Sequence, residues 1–122
     1  MIRNNAASAE ALYTAFGEKN VAEMEQYLHP DMHFLGPLAE LTGKQAYLES
    51  AKNFADFFKS LNIRHVLGSE NTAAVIYDVE LPDPIGISRA VSLMTFQGGL
   101  ITRIELFYDA RPFEEKKREI FS

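Results

Sequence analysis

Residues 87 to 111, which read ISRAVSLMTFQGGLITRIELFYDAR, decide the fold of this chain. Two runs rich in β-branched and aromatic residues flank Gln97-Gly98-Gly99, and this pattern predicts a β-hairpin. The register of the hairpin matters, because a shift by one residue sends every side chain to the opposite face of the sheet.

The length of the turn sets this register. A two-residue loop at Gly98-Gly99 pairs Met94 with Arg103 and mixes charge into both faces. A three-residue loop, residues 97 to 99, pairs Ser92 with Ile104 and leaves one face without formal charge, so we predict this register. The uncharged face, suited to a core or a ligand cavity, carries Ser88, Ala90, Ser92, Met94, Phe96, Leu100, Thr102, Ile104, Leu106 and Tyr108.

Composition limits the classes of function. The chain has 122 residues, a formal net charge of −5 and no cysteine. One domain, 1–122, is expected at this length. The negative charge argues against nucleic-acid binding, and the lack of cysteine excludes disulfides and thiolate metal sites. The amino terminus lacks an apolar run long enough for a signal peptide, and no membrane span follows. We therefore expect a cytoplasmic protein with neither a nucleic acid nor a membrane as partner.

The rest of the chain divides into helices and then strands. Apolar periodicity and capping signals predict helices over 8–18, from Asn20 to Leu28 and over about 43–60, the last opened by a Thr42/Gln45 capping box. Short strands are predicted over 32–37, 63–68 and 72–81. The order predicts an α+β fold, with three N-terminal helices packed on one face of an antiparallel sheet.

This element order resembles the SnoaL-like branch of the nuclear transport factor 2-like superfamily. The resemblance covers about residues 8 to 111 and includes the phrases YLHPDMHFLGP (27–37) and GLITRIELFYDAR (99–111). It implies a cystatin-like roll, in which a curved sheet wraps around the long helix and forms a cone with one apolar cavity. It also implies a homodimer, and relatives with ketosteroid isomerase-like or polyketide cyclase-like activity.

The catalytic carboxylates of such relatives have no counterparts in this sequence. In a ketosteroid isomerase-like site, a carboxylate base moves a proton while a tyrosine and a protonated acid stabilise the enolate oxygen. By resemblance, the base position falls at Gly36, the acid position at Ser92 and the tyrosine position at Tyr13. We therefore do not expect the chemistry of the family to carry over unchanged.

The leading prediction is a domain that binds a small, mostly apolar molecule in the cone, without cofactor or metal. The predicted ligand-binding residues are Phe34, Phe54, Phe58, Tyr77, Met94, Thr102, Ile104, Leu106 and Tyr108. The alternative is an isomerase, cyclase or dehydratase acting on a small hydrophobic carbonyl compound. Its candidate catalytic residues are Tyr13, His33 and Ser92. His33 is the candidate general base, since an imidazole titrates near neutral pH. A third hypothesis is an interaction module whose cone is filled by side chains.

Two histidines have the spacing of a metal pair. His29 and His33 are four residues apart, but Pro30 breaks the helix that this spacing needs. We therefore predict no metal site here.

The opposite face of the sheet predicts self-association. It is expected to carry an apolar patch with charges of both signs interspersed, which suits a two-fold interface. The apolar members are Ile76, Val91, Leu93, Ile101 and Phe107. Alternatively, the carboxy-terminal tail with Phe113, Ile120 and Phe121 folds back over this patch and leaves a monomer.

Overall fold

The computed structural model describes residues 4–116. The helices are α1 (Asn5–Gly17), α2 (Val21–Met24) and α3 (Lys44–Phe57), with 3₁₀ turns at Glu25–Tyr27 and Arg111–Lys116. The strands are β1 (Leu28–Leu35), β2 (Glu40–Thr42), β3 (Ser60–Gly68), β4 (Thr72–Leu81), β5 (Gly86–Gln97) and β6 (Leu100–Tyr108). The predicted α+β class, with helices packed on a curved sheet, is confirmed.

The sheet is mixed rather than purely antiparallel. Its six strands follow the order β2-β1-β6-β5-β4-β3, and β1 runs parallel to β6. Parallel neighbours need a long crossover connection, which the chain between β1 and β6 supplies. The short strand β2, which the sequence pattern did not predict, covers the edge of β1.

The turn of the β5–β6 hairpin differs from the predicted one. The loop is the two-residue Gly98-Gly99, with φ of 61° and 82°, and it pairs Gln97 with Leu100. A β-bulge follows at once, because Phe96 pairs with Ile101 while Thr95 pairs with Arg103. The prediction of a three-residue loop was therefore wrong.

The bulge restores most of the predicted faces, since one extra residue reverses the alternation of side chains. Beyond the bulge, Ser92 pairs with Leu106 rather than with Ile104. Ser92 and Leu106 still face the helices, as predicted. Three residues near the turn were placed wrongly, and the first of them, Leu100, lies opposite the exposed Gln97 rather than on the inward face. Ile101 is fully buried rather than outward-facing, and Thr102 lies in the bulge with its hydroxyl donating to the Thr95 carbonyl at 3.3 Å.

The helix ends follow local hydrogen bonding. Helix α1 begins earlier than predicted because the Asn4 side chain accepts from the Ala7 N–H, at 3.2 Å, and Ser8 is buried within the helix. Helix α3 begins after Gly43, whose φ of 93° makes the turn, because Thr42 is paired in β2. Asn20 caps α2 as predicted.

Helices α1 and α3 cover one face of the sheet and enclose the core with it. Helix α1 packs on β3 and β4, and α3 packs on β1 and β2. The rings of Phe16, Phe54 and Phe58 join the two helices, with centroids 5.4 to 6.1 Å apart. The space left between the helices and the sheet is where the candidate site lies. No helix within residues 4–116 has the length and apolar character needed to cross a bilayer.

Candidate functional site

A cavity of about 70 Å³ lies between α1, α3 and the sheet. Aromatic side chains form most of its wall, and none of the described residues that line it carries a formal charge. The lining residues are Tyr13, Phe16, Phe34, Tyr47, Ser50, Ala51, Phe54, Tyr77, Val79, Ser88, Ala90, Leu106, Tyr108 and Phe113.

Each wall follows from the local sequence pattern. The 3.6-residue period of α3 places Tyr47, Ala51 and Phe54 on one stripe, and the Tyr47 ring packs on Phe34 of β1 at 5.4 Å. The two-residue period of β4 and β6 turns alternate side chains inward, among them Tyr77 and Tyr108.

Tyr13 is the polar centre of the cavity. Its hydroxyl donates to Ser92 Oγ at 2.8 Å, and both side chains are buried. Its ring lies 4.8 Å from that of Tyr77, centroid to centroid, and Tyr47 and Tyr77 line the same cavity. The hydrogen-bonded Tyr13–Ser92 pair, with Tyr47 and Tyr77 in the same lining, therefore gives a mostly apolar wall its polar region.

Burial raises the pKa of all three of these tyrosines, because a phenolate would lose its water. For Tyr13, the interaction of its hydroxyl with the hydroxyls of Ser92, Tyr77 and Tyr47 opposes this effect and lowers the pKa. Tyr47 and Tyr77 have pKa values raised further, by burial and by the charge that Tyr13 would carry as a phenolate. Tyr13 is thus the hydroxyl whose oxygen the site is best arranged to stabilise.

The cavity reaches solvent at a rim of partly exposed residues, namely Ser50, Phe54, Ser88, Leu106 and Tyr108. Burial and the nearby Glu114 carboxylate raise the pKa of Tyr108 to about 12. The Tyr108 hydroxyl therefore stays neutral at physiological pH and adds a second polar group at the rim.

The predicted site residues fall into two groups. Those that line the cavity are Tyr13, Phe34, Phe54, Tyr77, Leu106 and Tyr108. Ser92 lies behind Tyr13, while Phe58, Met94 and Ile104 are buried core residues outside the lining, and Thr102 is displaced by the bulge.

His33 does not reach the cavity. It is exposed on β1, where it pairs with Arg103 on one side and Thr42 on the other, and its Nδ1 lies 3.4 Å from Thr42 Oγ1. Alternation puts the next residue, Phe34, inward and His33 outward. The prediction that His33 serves as an acid–base residue of the cone is therefore contradicted.

The sequence pattern missed several lining residues, namely Phe16, Tyr47, Ser50, Ala51, Val79 and Phe113, whereas Ser88 and Ala90 lie on the uncharged face that was predicted for the hairpin. Tyr47 and Ala51 were assigned to the core through the periodicity of α3, and that same periodicity could have placed them in the wall. Phe113 follows the last strand and has no periodic signal.

The position that resembles the family base is crowded by an aromatic ring. A Cβ at Gly36 would lie 3.2 and 3.3 Å from two ring carbons of Phe34, which itself lines the cavity. A side chain there would require this ring to shift by a few tenths of an ångström. The cavity therefore offers hydroxyl donors but no carboxylate base among the described residues.

Metal ligation has no support in the same part of the chain. Among residues 4–116, no group of three His, Asp or Glu side chains is arranged to hold a metal ion. His29 accepts from the Asp31 N–H at 3.0 Å, which is a local turn contact.

Comparison with protein families decides the assignment. The model of the SnoaL-like domain matches residues 9–104. The chain belongs to the SnoaL-like domain family. The resemblance seen in the sequence is therefore confirmed for this SnoaL-like domain, although comparison with curated proteins gives no significant sequence match.

Solved structures agree with this fold at low sequence identity. A nuclear transport factor 2-like protein of unknown function from Cytophaga hutchinsonii is 19% identical, with 93% of this chain and 96% of that chain covered and a TM-score of 0.79. An uncharacterized bacterial protein with a cystatin-like fold, from Silicibacter pomeroyi, is 16% identical, with 93% of this chain and 81% of that chain covered and a TM-score of 0.80. A steroid delta-isomerase from Pseudomonas aeruginosa is 14% identical, covering 98% and 88%, with a TM-score of 0.76. At these identities the similarity establishes the fold alone.

Proposed function

We propose that this SnoaL-like domain binds a small, mostly apolar molecule with one hydrogen-bond acceptor, such as a cyclic ketone, in the cone cavity. The observation that carries the proposal is the buried Tyr13 side chain with its hydroxyl, which lines an uncharged cavity whose wall is mostly apolar. A few convergent polar groups in an apolar wall are typical of small-molecule sites.

Tyr13 is able to donate to such a ligand without leaving Ser92 unpaired. A serine hydroxyl both donates and accepts, so the 2.8 Å bond between the two hydroxyls can reverse direction. Ser92 then donates to the Tyr13 oxygen, and the Tyr13 proton turns to the carbonyl of the ligand.

The residues support binding rather than proton transfer. An isomerase or cyclase of this type needs a base beside the bound carbonyl compound. No carboxylate or imidazole lines the cavity in residues 4–116, and His33 lies on the other face of the sheet. Binding without the usual carboxylates therefore remains the preferred function.

Titration of the protein with 2-cyclohexenone and with cyclohexene, followed by heteronuclear NMR, tests this proposal. One neutral hydrogen bond is worth about 0.5–1.5 kcal/mol, so we expect the ketone to bind roughly 3–10-fold more tightly. Tyr13→Phe should remove this preference, whereas Tyr27→Phe, outside the cavity, should keep it. Equal affinities for ketone and alkene, or no binding of either at millimolar concentration, would overturn the proposal.

We also propose that the outer face of the sheet pairs with a second copy of the chain. The large apolar side chains that stay exposed in the described residues, Leu67, Ile87 and Phe107, all lie on this face. The Arg89–Asp78 pair, at 2.8 Å, and the Arg103–Glu105 pair, at 3.4 Å, lie among them. Both signs of charge around an apolar centre allow the face to meet its own copy.

Two residues expected to bear on this surface lie elsewhere. Ile101 is buried in the core, and Phe113 lies in the cavity rather than over the patch. Ile120 and Phe121, the other residues of the alternative cover, lie outside the described residues.

A further inference from the structure

Phe113 is buried in a segment whose described neighbours are exposed. It belongs to the 3₁₀ turn Arg111–Lys116, in which Arg111, Pro112 and Glu114 face solvent. The side chain of Phe113 is only 2% exposed and lines the cavity. Its ring meets that of Tyr108 edge-on, with centroids 5.2 Å apart and planes at 79°.

The base of this turn is fixed by polar contacts outside the cavity. Asp109 accepts from the Arg111 backbone N–H at 3.1 Å and from its guanidinium at 2.9 and 2.7 Å. The Phe113 N–H donates to the Ala110 carbonyl at 2.9 Å. The backbone is thus anchored just before Phe113, and the ring projects from that anchor into the cone.

The volume of the cavity shows what this ring excludes. A cavity of about 150 Å³ accepts benzene, whereas the cavity here measures about 70 Å³. A ring-sized ligand therefore does not fit beside all the present side chains. Phe113 is the lining residue contributed by the short terminal turn rather than by a helix or strand of the core.

We infer that Phe113 is the size-determining residue of the site, and that a ring-sized ligand enters by taking the place of its phenyl ring. This inference rests on the proposed function, in which the cavity holds the ligand. The displaced Phe113 ring would expose apolar surface to water. The wild-type protein should therefore bind such ligands more weakly than a variant that lacks this ring. Truncation of Phe113 should strengthen binding by about tenfold to a hundredfold, the equivalent of burying one large apolar side chain.

The experiment compares benzene and 2-cyclohexenone binding to the wild type, Phe113→Ala and Phe96→Ala by NMR titration. Phe96 is a matched control, because it is also buried but does not line the cavity. We expect Phe113→Ala to bind both molecules at least tenfold more tightly than the wild type, and Phe96→Ala to match the wild type. Equal affinities in the wild type and Phe113→Ala would overturn the inference.

Benzene separates this inference from the proposed function, because it has no oxygen for Tyr13. Tighter benzene binding by Phe113→Ala, without any preference of the protein for ketone over cyclohexene, supports the size limit and refutes the donor role of Tyr13. A wild-type ketone preference that Phe113→Ala does not strengthen refutes the size limit alone.

A measurement on the wild-type sequence covers the case in which Phe113→Ala fails to fold. With fluorophenylalanine incorporated and the Phe113 resonance assigned through Phe113→Leu, saturating 2-cyclohexenone should shift the ¹⁹F signal of Phe113 toward that of a solvent-exposed ring. An unchanged Phe113 signal at saturation would overturn the inference.

Discussion

The hydrogen bond between Tyr13 and Ser92 gives the sharpest test of the polar centre of the cavity. It joins a helix to a strand across 79 positions of sequence, at 2.8 Å and without exposure to solvent. We expect Tyr13→Phe to destabilise the protein by about 1–3 kcal/mol, because it leaves the Ser92 hydroxyl buried without its partner.

The companion variants define the coupling between the two hydroxyls. Ser92→Ala should cost less, about 0.5–1.5 kcal/mol, since Tyr13 lines the cavity together with Tyr47 and Tyr77 and its hydroxyl can turn toward them. The double variant removes both partners, so its cost should fall below the sum of the single costs by about 1 kcal/mol.

Urea denaturation followed by far-ultraviolet circular dichroism measures these free energies, since the chain has no tryptophan to report unfolding. Tyr27→Phe is the matched control and should change stability little, because Tyr27 is only partly buried. Additive single costs, or a Tyr13→Phe variant as stable as the parent, would refute the argument.

Three further predictions follow from the burial and charge of the described residues. Leu106→Asp places a carboxyl group in the cavity wall, so it should destabilise the protein by roughly 1–3 kcal/mol at pH 7 and by less at pH 4, where the carboxyl is protonated. Urea denaturation at both pH values tests this, and the same pH dependence in Leu106→Asn would contradict it. The pKa of Tyr108 is raised to about 12, so the folded state favours the neutral hydroxyl. The contribution of this hydroxyl to stability should be complete below pH 10 and lost as the pH rises through 12. An ultraviolet titration showing that Tyr108 ionises near pH 10 in the folded protein would refute this. The chain of 13.7 kDa should elute as a dimer in size-exclusion chromatography with light scattering. Leu93→Glu together with Phe107→Glu should give a monomer that keeps its circular dichroism spectrum. A monomeric parent, or a dimer that survives both substitutions, would contradict the interface.

Periodic patterns predicted the walls of the cone but not the register of its central hairpin. The stripe on α3 and the alternation on β4 and β6 are repeated signals, so they placed Phe54, Tyr77 and Tyr108 inward. The bulge at Thr102 occurs once and has no glycine to mark it. Neither of the two turn lengths considered from the sequence includes such a bulge.

The remaining site residues were decided by tertiary contacts. His33 lies on a strand that alternation alone could orient either way, and its pairing with Arg103 and Thr42 turns it outward. Phe113 follows the end of the last strand, where no period extends, so its return to the cavity depends on the Asp109 anchor and on packing against Tyr108. Both outcomes change the expected function of the site. The outward position of His33 removes a candidate base, and the Phe113 ring reduces the volume of the cavity.

A crystal structure of the protein grown with saturating 2-cyclohexenone tests the central claim most directly. We expect one molecule in the cone, with its carbonyl oxygen within about 3 Å of the Tyr13 hydroxyl and the Ser92–Tyr13 bond retained. A cone that stays empty at saturation, or a ligand whose oxygen points away from Tyr13, would contradict it.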